Sequence, residues 1–259
     1  MIKYKTREEI ELLRKSNQFV SETLAELAKH IKPGVTTKRL DQIAELFIRD
    51  HGAVPGFLGY RGFPATLCTS VNSVVVHGFP SSYELREGDI ISIDCGVVMN
   101  GYYGDSAYTF PVGPISDEVY QLLKATRESL FKGIEQALEG HRIGDIGWAV
   151  QNHAESHGFS VVREMVGHGL GKSLHEDPEV PNYGRRGTGT KLMNGLVICI
   201  EPMINLGTKG VRQEKDGWTI RTLDGKPSAH YELAVAIDKN AADVLTSFRK
   251  IEETVRIFD

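Results

Sequence analysis

The chain contains the same strand-like segment twice, and each copy ends on a carboxylate. Gly88-Asp-Ile-Ile-Ser-Ile-Asp94 returns 107 positions later as Gly195-Leu-Val-Ile-Cys-Ile-Glu201, and Leu85 returns as Leu192. Each copy is a short β-branched apolar run, which is typical of a buried strand. A buried strand that ends in an acid needs a compensating partner, because an unpaired buried charge is costly. Two such strands at matched positions predict one cation site built from both halves of the chain.

Helices are predicted at matched positions around the repeated strands. Helical spacing and capping signals predict four helices, from about Arg7 to His30, from Thr36 or Thr37 to His51-Gly52, from about Asp117 to Leu138, and from about Asp145 to His157-Gly158. Strands are predicted around Ala65–Val76, Asp89–Val98, Val161–Val166 and Leu196–Ile200. The shared period of 106–107 residues favours an internal duplication over chance echoes. We therefore expect one domain, residues 1–259, in which two halves (about 7–112 and 113–259) enclose a central site with the helices outside.

Composition and charge exclude several classes of protein. The 30 basic and 34 acidic residues are interspersed and sum to −4, which indicates neither a nucleic-acid partner nor a membrane surface. No apolar run approaches the roughly 18 residues of a membrane span. The three cysteines form no CxxC pair and indicate a reducing compartment. Thr6 and Glu9 have capping-box spacing, so the N-terminus predicts a helix start and not a signal peptide. We expect a cytoplasmic globular protein.

A predicted hairpin brings a second carboxylate beside Asp94. Asn100-Gly101 is a strong two-residue turn signal, because a type I′ turn requires φ > 0 at both central positions. A regular hairpin about this turn places Asp105 opposite Gly96 and Asp94 opposite Ala107. The two aspartates then project from one face as diagonal neighbours, roughly 7–8 Å apart at the backbone. They could hold one ion or bridge two, although two solvated surface carboxylates are the simpler alternative.

Two histidines lie in a glycine-rich segment of the second half. Val166-Gly-His168-Gly-Leu-Gly-Lys-Ser-Leu-His175 follows a predicted strand, and its glycines indicate a backbone that approaches another group closely. A lone histidine is more often a satisfied structural residue than a ligand. Spacing alone does not tell which of the two would bind metal and which would handle protons.

Three further side chains end or begin predicted strands. Pro202 ends the strand after Glu201, which suits an acid facing a cleft. Glu232 heads an apolar strand and, taken alone, would be a surface residue by default. His77 closes a valine-rich strand and could either cap a core or face the site.

Four carboxylates and one imidazole suit two divalent ions of intermediate hardness, such as Mn, Fe, Co or Zn. Two such ions can activate a bridging water and polarise a carbonyl or phosphoryl group. The residues alone therefore predict hydrolysis and leave open whether the substrate is an amide or a phosphate ester.

The candidate ligands lie in strings that resemble the pita-bread metallopeptidases over nearly the whole chain, and most closely the type I methionine aminopeptidases. The strings that carry this resemblance are Ser73–Pro80, Ile93–Gly96, Gly101–Asp105, Gly167–Gly171, Ile200–Met203, Lys215–Thr219 and Ser228–Glu232. The resemblance implies an α/β (α+β) pita-bread fold, in which antiparallel sheets of two pseudo-symmetric halves enclose a dinuclear metal site. It implies removal of the N-terminal methionine from nascent proteins and peptides with a small second residue.

The resemblance also implies a role for each site residue. The metal ligands would be Asp94, Asp105, His168, Glu201 and Glu232. Glu201 would double as the base for the bridging water, His77 would contact the scissile amide, and His175 would hydrogen-bond its carbonyl oxygen. The substrate amine would bind at the metal held by Asp94 and Asp105. A monovalent cation, Na or K, is implied near the carbonyls of Asn72, Val74 and Ser228.

The methionine side chain would occupy an apolar pocket similar to one lined by Tyr60, Phe63, Cys68 and Trp218, together with His77 and His175. Ordinary core packing would explain any one of these residues alone. The chain departs from the family at Phe57, Leu174 and His230, where cysteine, phenylalanine and glutamine are familiar, and this puts only the pocket's shape in doubt. The 26 residues from His175 to Glu201 leave no room for the helical insertion of a type II enzyme.

Three alternatives remain beside this interpretation. A proline-directed aminopeptidase or prolidase shares the metal ligands but resembles this chain only after an additional N-terminal domain. A non-enzymatic pita-bread binding protein would have lost ligands, and the acidic net charge disfavours RNA. A dinuclear phosphoesterase of another fold is the third. We expect a monomer without nucleic-acid or membrane partners, and a transient contact with the ribosome stays open.

Overall fold

The computed structural model describes residues 1–255 and 257–258, and these form helices and antiparallel sheets. The helices are α1 (Arg7–Ala28), α2 (Thr37–Asp50), α3 (Asp117–Ile134), α4 (Ile143–Ser156) and α5 (Arg249–Val255). The strands are β1 (Val54–Pro55), β2 (Leu67–Val71), β3 (Val74–Val76), β4 (Ile90–Met99), β5 (Tyr102–Pro111), β6 (Ser160–Val161), β7 (Gly167–Gly169), β8 (Glu176–Val180), β9 (Val197–Ile200), β10 (Met203–Asn205), β11 (Val211–Gln213), β12 (Ile220–Thr222), β13 (Ser228–His230), β14 (Leu233–Ala236) and β15 (Asp243–Val244).

Two larger sheets carry the predicted site. In the first half β4 pairs with β1, β2 and β5, and in the second half the order is β15-β14-β9-β7-β8. Smaller three-stranded sheets, β13-β10-β6 and β11-β12-β3, lie beside them. The last of these joins the halves, because β3 comes from the first half and β12 from the second.

The helix starts follow their capping residues. The Thr6 side chain accepts from the Glu9 N–H at 3.3 Å and Glu9 accepts from the Thr6 N–H at 3.0 Å, which is the predicted capping box. Thr36 caps α2 by accepting from the Arg39 N–H at 3.1 Å. One continuous core contains buried residues of α1 to α5 and of both larger sheets, so the helical and strand periodicities lead to the same interior.

The packing of α1 on the hairpin β4–β5 depends on Gly104. A Cβ atom at this position would lie 2.5 Å from the backbone carbon and oxygen of Ser16. The Asn17 side chain, one residue further along α1, accepts a hydrogen bond of 3.1 Å from the Asp105 N–H. The helix therefore holds the backbone of a predicted metal ligand directly.

Hydrogen bonds connect β5 of the first half to β13 and to Glu232, the residue before β14, in the second. Ser106 donates to the Glu232 carbonyl at 2.6 Å, and the Glu232 N–H donates to the Ala107 carbonyl at 2.9 Å. Thr109 donates to the His230 carbonyl at 2.8 Å and accepts from the His230 N–H at 2.9 Å. We call these four bonds the seam. The seam fixes the two halves against each other beside the site.

Three predicted boundaries were wrong. Helix α3 ends at Ile134 and not near Leu138, because the backbone of residues 138–139 pairs with Asp238. The strand expected at Val161–Val166 covers only Ser160–Val161, since its partner β10 is three residues long. The strand expected at Ala65–Val76 divides at Asn72, whose φ of 51° turns the chain. None of the helices that the structure describes is long and apolar enough to cross a bilayer.

Candidate metal centre

Four carboxylates converge from two pairs of neighbouring strands. Asn100 and Gly101 have φ values of 52° and 77°, and β4 and β5 pair with Asp94 opposite Ala107 and Asp105 opposite Gly96. This is the register predicted from the turn. In the second half, β9 and β14 pair with Leu233 opposite Ile200, so the adjoining Glu201 and Glu232 also lie side by side.

Each of these four carboxylates has a buried oxygen atom without a hydrogen-bond partner. The atoms are Asp94 Oδ1, Asp105 Oδ1, Glu201 Oε1 and Glu232 Oε1. Asp105 and Glu232 are only 3% and 2% exposed. Buried polar groups without partners are rare and call for an explanation. Divalent cations bound between the four oxygens would supply that compensation, and the donor set fits them.

Burial acts against the ionised forms of all four acids, and repulsion by neighbouring acids adds to it at Asp105, Glu201 and Glu232. Burial raises the pKa of Asp94 to about 7, although a hydrogen bond from Asp105 and the Cys95 N–H oppose the shift. Burial, followed by the charges of Glu232 and Asp94, raises the pKa of Asp105 well above its ordinary value. The pKa values of Glu201 and Glu232 are raised for the same reasons. Positive charge is therefore needed before the four groups can be ionised together at neutral pH.

His168 is oriented towards the carboxylates by its own backbone. Its Nδ1 lies 2.9 Å from the Gly169 carbonyl, which can only accept, so Nδ1 carries the proton. Nε2 is left with a lone pair, 3.5 Å from Glu201 Oε1 and 3.7 Å from Asp105 Oδ2. Burial lowers the pKa of His168 to about 4, which keeps the ring neutral, as a metal ligand must be.

The glycines around His168 permit this approach. A Cβ at Gly167 would lie 2.3 Å from the Cys199 carbonyl oxygen, and one at Gly169 equally close to the Asp177 carbonyl oxygen. The close backbone approach expected from the sequence is therefore present on both sides of the ligand.

His175 lies against the same site without reaching the acids. Its ring centroid is 4.2 Å from that of His168, and its Nδ1 is 2.8 Å from the Tyr60 hydroxyl. His77 stands at the end of β3 with a φ of 59°, and its ring centroid is 6.1 Å from that of Trp218. Burial lowers the pKa of His77. The structure thus brings all three predicted histidines to one cavity and leaves only His168 among the acids.

A cavity of about 220 Å³ adjoins the carboxylates. All residues predicted for the pocket line it, and Phe57, Arg61 and Leu174 line it as well. Its apolar part is aromatic, since Phe63 meets Trp218 edge to face at 5.1 Å and Phe57 at 6.5 Å. Of these additional residues, Phe57 and Leu174 are departures already seen in the sequence. Arg61 was not predicted to line the cavity, because the sequence around an arginine does not show whether it lies beside a cavity or on the open surface.

Cys68 and Cys199 lie beside the acids, and only Cys68 was expected there. Cys68 on β2 is opposite Asp94 and lines the cavity. A sulfur or ligand atom from each of Asp105, His168, Cys199 and Glu232 lies within 4.8 Å of the others. Burial, followed by the charge of Glu232, raises the pKa of the Cys199 thiol well above its ordinary value, so it remains a thiol. Strand alternation places Cys199 on the face of Glu201 and could have identified it.

His230 is buried beside Glu201. It is 2% exposed, its Nε2 has no hydrogen-bond partner, and that atom lies 3.8 Å from Glu201 Oε2. Burial lowers its pKa to about 3. The Glu201 carbonyl accepts from Asn182 at 3.0 Å, a contact that no sequence pattern indicated.

The three residues predicted to hold a monovalent cation lie near one another. The Asn72 carbonyl accepts from the Ser228 N–H at 2.9 Å, and Val74 begins β3 two residues later. The Asn72 side chain bonds to Asp89 and to the Ile90 N–H at 2.8 and 3.0 Å. The cation site stays a prediction.

The fold and the buried acidic centre together define a class of metal-dependent hydrolases. The sequence model of metallopeptidase family M24 matches residues 11–239. The chain belongs to this family.

Within this family, the chain is similar to methionine aminopeptidases over nearly their whole length. The chain is 55% identical to a methionine aminopeptidase of Clostridium perfringens over 246 residues, which cover 95% of this chain and 99% of the relative. The crystal structure of the methionine aminopeptidase of Rickettsia prowazekii matches with a TM-score of 0.94 at 40% identity, over 95% of this chain and all of that one. The prolidase of Pyrococcus furiosus matches with a TM-score of 0.76 at 23% identity, over 94% of this chain and 65% of that one, and shares the fold alone. The predicted family and the pita-bread fold are thus confirmed.

Proposed function

We propose that the chain is a metal-dependent aminopeptidase that removes the N-terminal methionine from nascent proteins and peptides with a small second residue. The observation that carries this proposal is the set of four carboxylates with buried, unpartnered oxygens beside a small aromatic cavity. The similarity to full-length methionine aminopeptidases supports it.

The ligands of two divalent ions would be Asp94, Asp105, His168, Glu201 and Glu232. Such ions lower the pKa of a bound water and polarise the scissile carbonyl. The oxygen-rich donor set with one imidazole favours Mn, Fe, Co or Zn over an ion bound by thiolates. The ring orientation of His168 supports its place among these ligands.

Glu201 would act as the base for the attacking water. Its pKa is raised by burial, then by the charges of Asp105 and Asp94, and a carboxyl with a raised pKa is better suited to accept and return a proton.

His175 would donate to the substrate carbonyl. When the Tyr60 hydroxyl donates to His175 Nδ1, the single proton of the neutral ring is on Nε2. A donor there would stabilise negative charge on the carbonyl oxygen as the water adds. His77, which lines the cavity beside Trp218, would contact the amide itself and assist proton transfer to the leaving amine.

The cavity supports the preference for one methionine. Its volume of about 220 Å³ is below the roughly 300–1,000 Å³ of pockets for drug-sized ligands, so it suits a single side chain. Tyr60, Phe63, Cys68 and Trp218 would contact a thioether favourably, since sulfur packs well against aromatic rings. We propose that the substrate amine lies on the side of Asp94 and Asp105, which would limit cleavage to one residue.

One assay separates this function from its alternatives. Protein loaded with Mn, Fe or Co is incubated with Met-Ala-Ser, with an Xaa-Pro-Ala peptide and with a phosphodiester. We expect methionine release from the first substrate alone. Release of Xaa from the proline peptide would favour a prolidase-like enzyme, phosphodiester cleavage a phosphoesterase, and no turnover with any metal a binding protein.

Three further expectations accompany this proposal. We propose that the enzyme works in the cytoplasm as a monomer, that its partner is the N-terminus of a nascent chain, and that any contact with the ribosome is transient. The interspersed charges and the sum of −4 support the absence of a nucleic-acid partner.

A further inference from the structure

A second group of metal-ligand side chains lies where α3 packs against α4, away from the cavity. It consists of Glu128 on α3, His153 in the last turn of α4, and His157, the residue that caps α4. One ligand atom from each lies within 4.8 Å of the others. Glu128 and His153 are half-buried and His157 is exposed, so an ion from solvent can reach the group.

His157 is already oriented as a ligand. Its Nδ1 lies 2.8 Å from the His153 carbonyl oxygen, which can only accept, so the proton is on Nδ1. The Nε2 atom therefore has a free lone pair. Metal-binding histidines in proteins commonly donate their other ring N–H to a backbone carbonyl in this way.

The other two side chains complete a donor set of two nitrogens and one oxygen. His153 Nε2 lies 3.0 Å from Glu128 Oε2, in a hydrogen bond whose proton a bound ion would replace, and the centroids of the His153 and His157 rings are 4.5 Å apart. Zinc bound at about 2.0–2.2 Å to such donors needs them roughly 3.4 Å apart, so small side-chain rotations are sufficient. The C-terminal end of α4 also carries partial negative charge, which favours a cation.

The first half of the chain offers an internal comparison. The residues 106 positions earlier are Glu22, Phe47 and His51. His51 caps α2 with its Nδ1 2.8 Å from the Phe47 carbonyl, as His157 caps α4. Phe47 replaces the second imidazole and packs on Phe19 at 5.7 Å. A histidine cap is therefore common to both halves, and the three-ligand group is present only in the second.

We propose that Glu128, His153 and His157 form an auxiliary site for a divalent transition-metal ion such as zinc, with water completing the coordination. The ion would link the end of α4 to α3. This inference does not rest on the proposed function, because none of the three residues lines the cavity.

The number of bound ions tests the proposal. Wild type, the double variant His153→Gln/His157→Gln and the control His51→Gln are dialysed to equilibrium against the same free zinc concentration and analysed for metal. We expect the double variant to hold one zinc ion fewer per chain and His51→Gln to equal wild type. Unchanged methionine release by the double variant would place the lost ion outside the catalytic centre. Equal zinc content in all three proteins would overturn the proposal.

A measurement on the wild type alone guards against a variant that does not fold. Zinc is added to the wild-type protein, and histidine modification by diethyl pyrocarbonate is followed residue by residue with mass spectrometry. We expect zinc to slow modification of His153 and His157 and to leave His51 unchanged. Equal protection of His51, or no protection of the pair, would contradict the auxiliary site.

Discussion

At the scale of single residues, the orientation of each ring and carboxylate matters as much as its identity. His168 and His157 both donate Nδ1–H to a backbone carbonyl, and this leaves Nε2 free at two separate places. The resemblance to the metallopeptidases implied which residues would gather around the cavity. It could not predict ring tautomers or the partner of His175, because these depend on carbonyls and hydroxyls brought in by distant segments. Cys199 was not predicted, because a buried cysteine within an apolar strand looks like an ordinary core residue.

The first prediction concerns the two acids with different proposed duties. Asp105→Ala and Glu201→Ala should each remove methionine release while the fold is retained, because each change removes a ligand and the second also removes the base. Loss of a general base alone costs roughly 10²–10⁴-fold in rate. The measurement is kcat with Met-Ala-Ser together with far-UV circular dichroism. Glu118→Gln, an exposed acid in the first turn of α3, is the matched control. Turnover retained by either alanine variant would count against the assignment of two metals.

The second prediction concerns the hydroxyl that orients His175. Tyr60→Phe should lower kcat by roughly fivefold, the equivalent of one hydrogen bond of about 1 kcal/mol, because the proton of His175 is no longer held on Nε2. KM and thermal stability should change little. Tyr4→Phe, at a residue that is 51% exposed, serves as the control. An unchanged kcat would show that the hydroxyl does not position the ring.

At the scale of secondary-structure elements, turn chemistry predicted more than propensity did. The position of the two-residue turn determines the register of β4 and β5, because in a regular hairpin each residue then has a single opposite residue. The ends of α3 and β6 depend on contacts with Asp238 and Met203, which lie far away in sequence, and the local pattern carries no trace of them. The internal duplication that relates α1 and α2 to α3 and α4 stays a prediction.

The third prediction concerns the contact between α1 and the hairpin. Gly104→Ala should destabilise the protein by about 1–3 kcal/mol, because the added methyl group would meet the Ser16 backbone, which cannot move as a side chain can. It should also lower activity by displacing the neighbouring Asp105. Urea unfolding and kcat measure the two effects. Gly210→Ala is the control, since its added methyl meets only the end of the exposed Leu223 side chain. Equal stabilities of the two variants would refute the close packing.

At the scale of the whole molecule, the four ionised acids of the metal centre destabilise the folded state unless bound cations offset their charge. The four acids come from both halves, and the seam and the common core hold those halves together. The sequence predicted a shared site from the repeated strand. The seam could not be predicted, because the sequence does not distinguish Ser106 and Thr109 from other strand residues. Their hydrogen bonds depend on how the second half packs against β5.

The fourth prediction concerns metal removal and pH. The folded pKa of Asp94, about 7, is above its ordinary value, so the folded state binds more protons than the unfolded state between about pH 4 and pH 7. The metal-free protein should therefore lose stability as pH rises through this window. Bound divalent ions should remove most of this loss, so the difference in Tm between metal-loaded and chelator-treated protein should increase with pH.

Scanning calorimetry at several pH values measures this difference. Asp94→Asn, which cannot ionise at this position, should reduce the pH dependence of the metal-free protein, and the raised pKa values of the other three acids should account for the remainder. A chelator effect that is constant with pH, or one that decreases as pH rises, would contradict the electrostatic account.

The seam has a consequence for how the polypeptide could be divided. It consists of bonds between strands, and the exposed residues Gly113 and Pro114 connect the two halves outside it. A cut at this connection leaves every seam bond and every contact of the common core intact. Two separately produced fragments would then each carry two of the four acids, and catalysis would return only when they meet. The molecule therefore has the layout of a fragment-complementation reporter, in which turnover reports the encounter of whatever is fused to each piece.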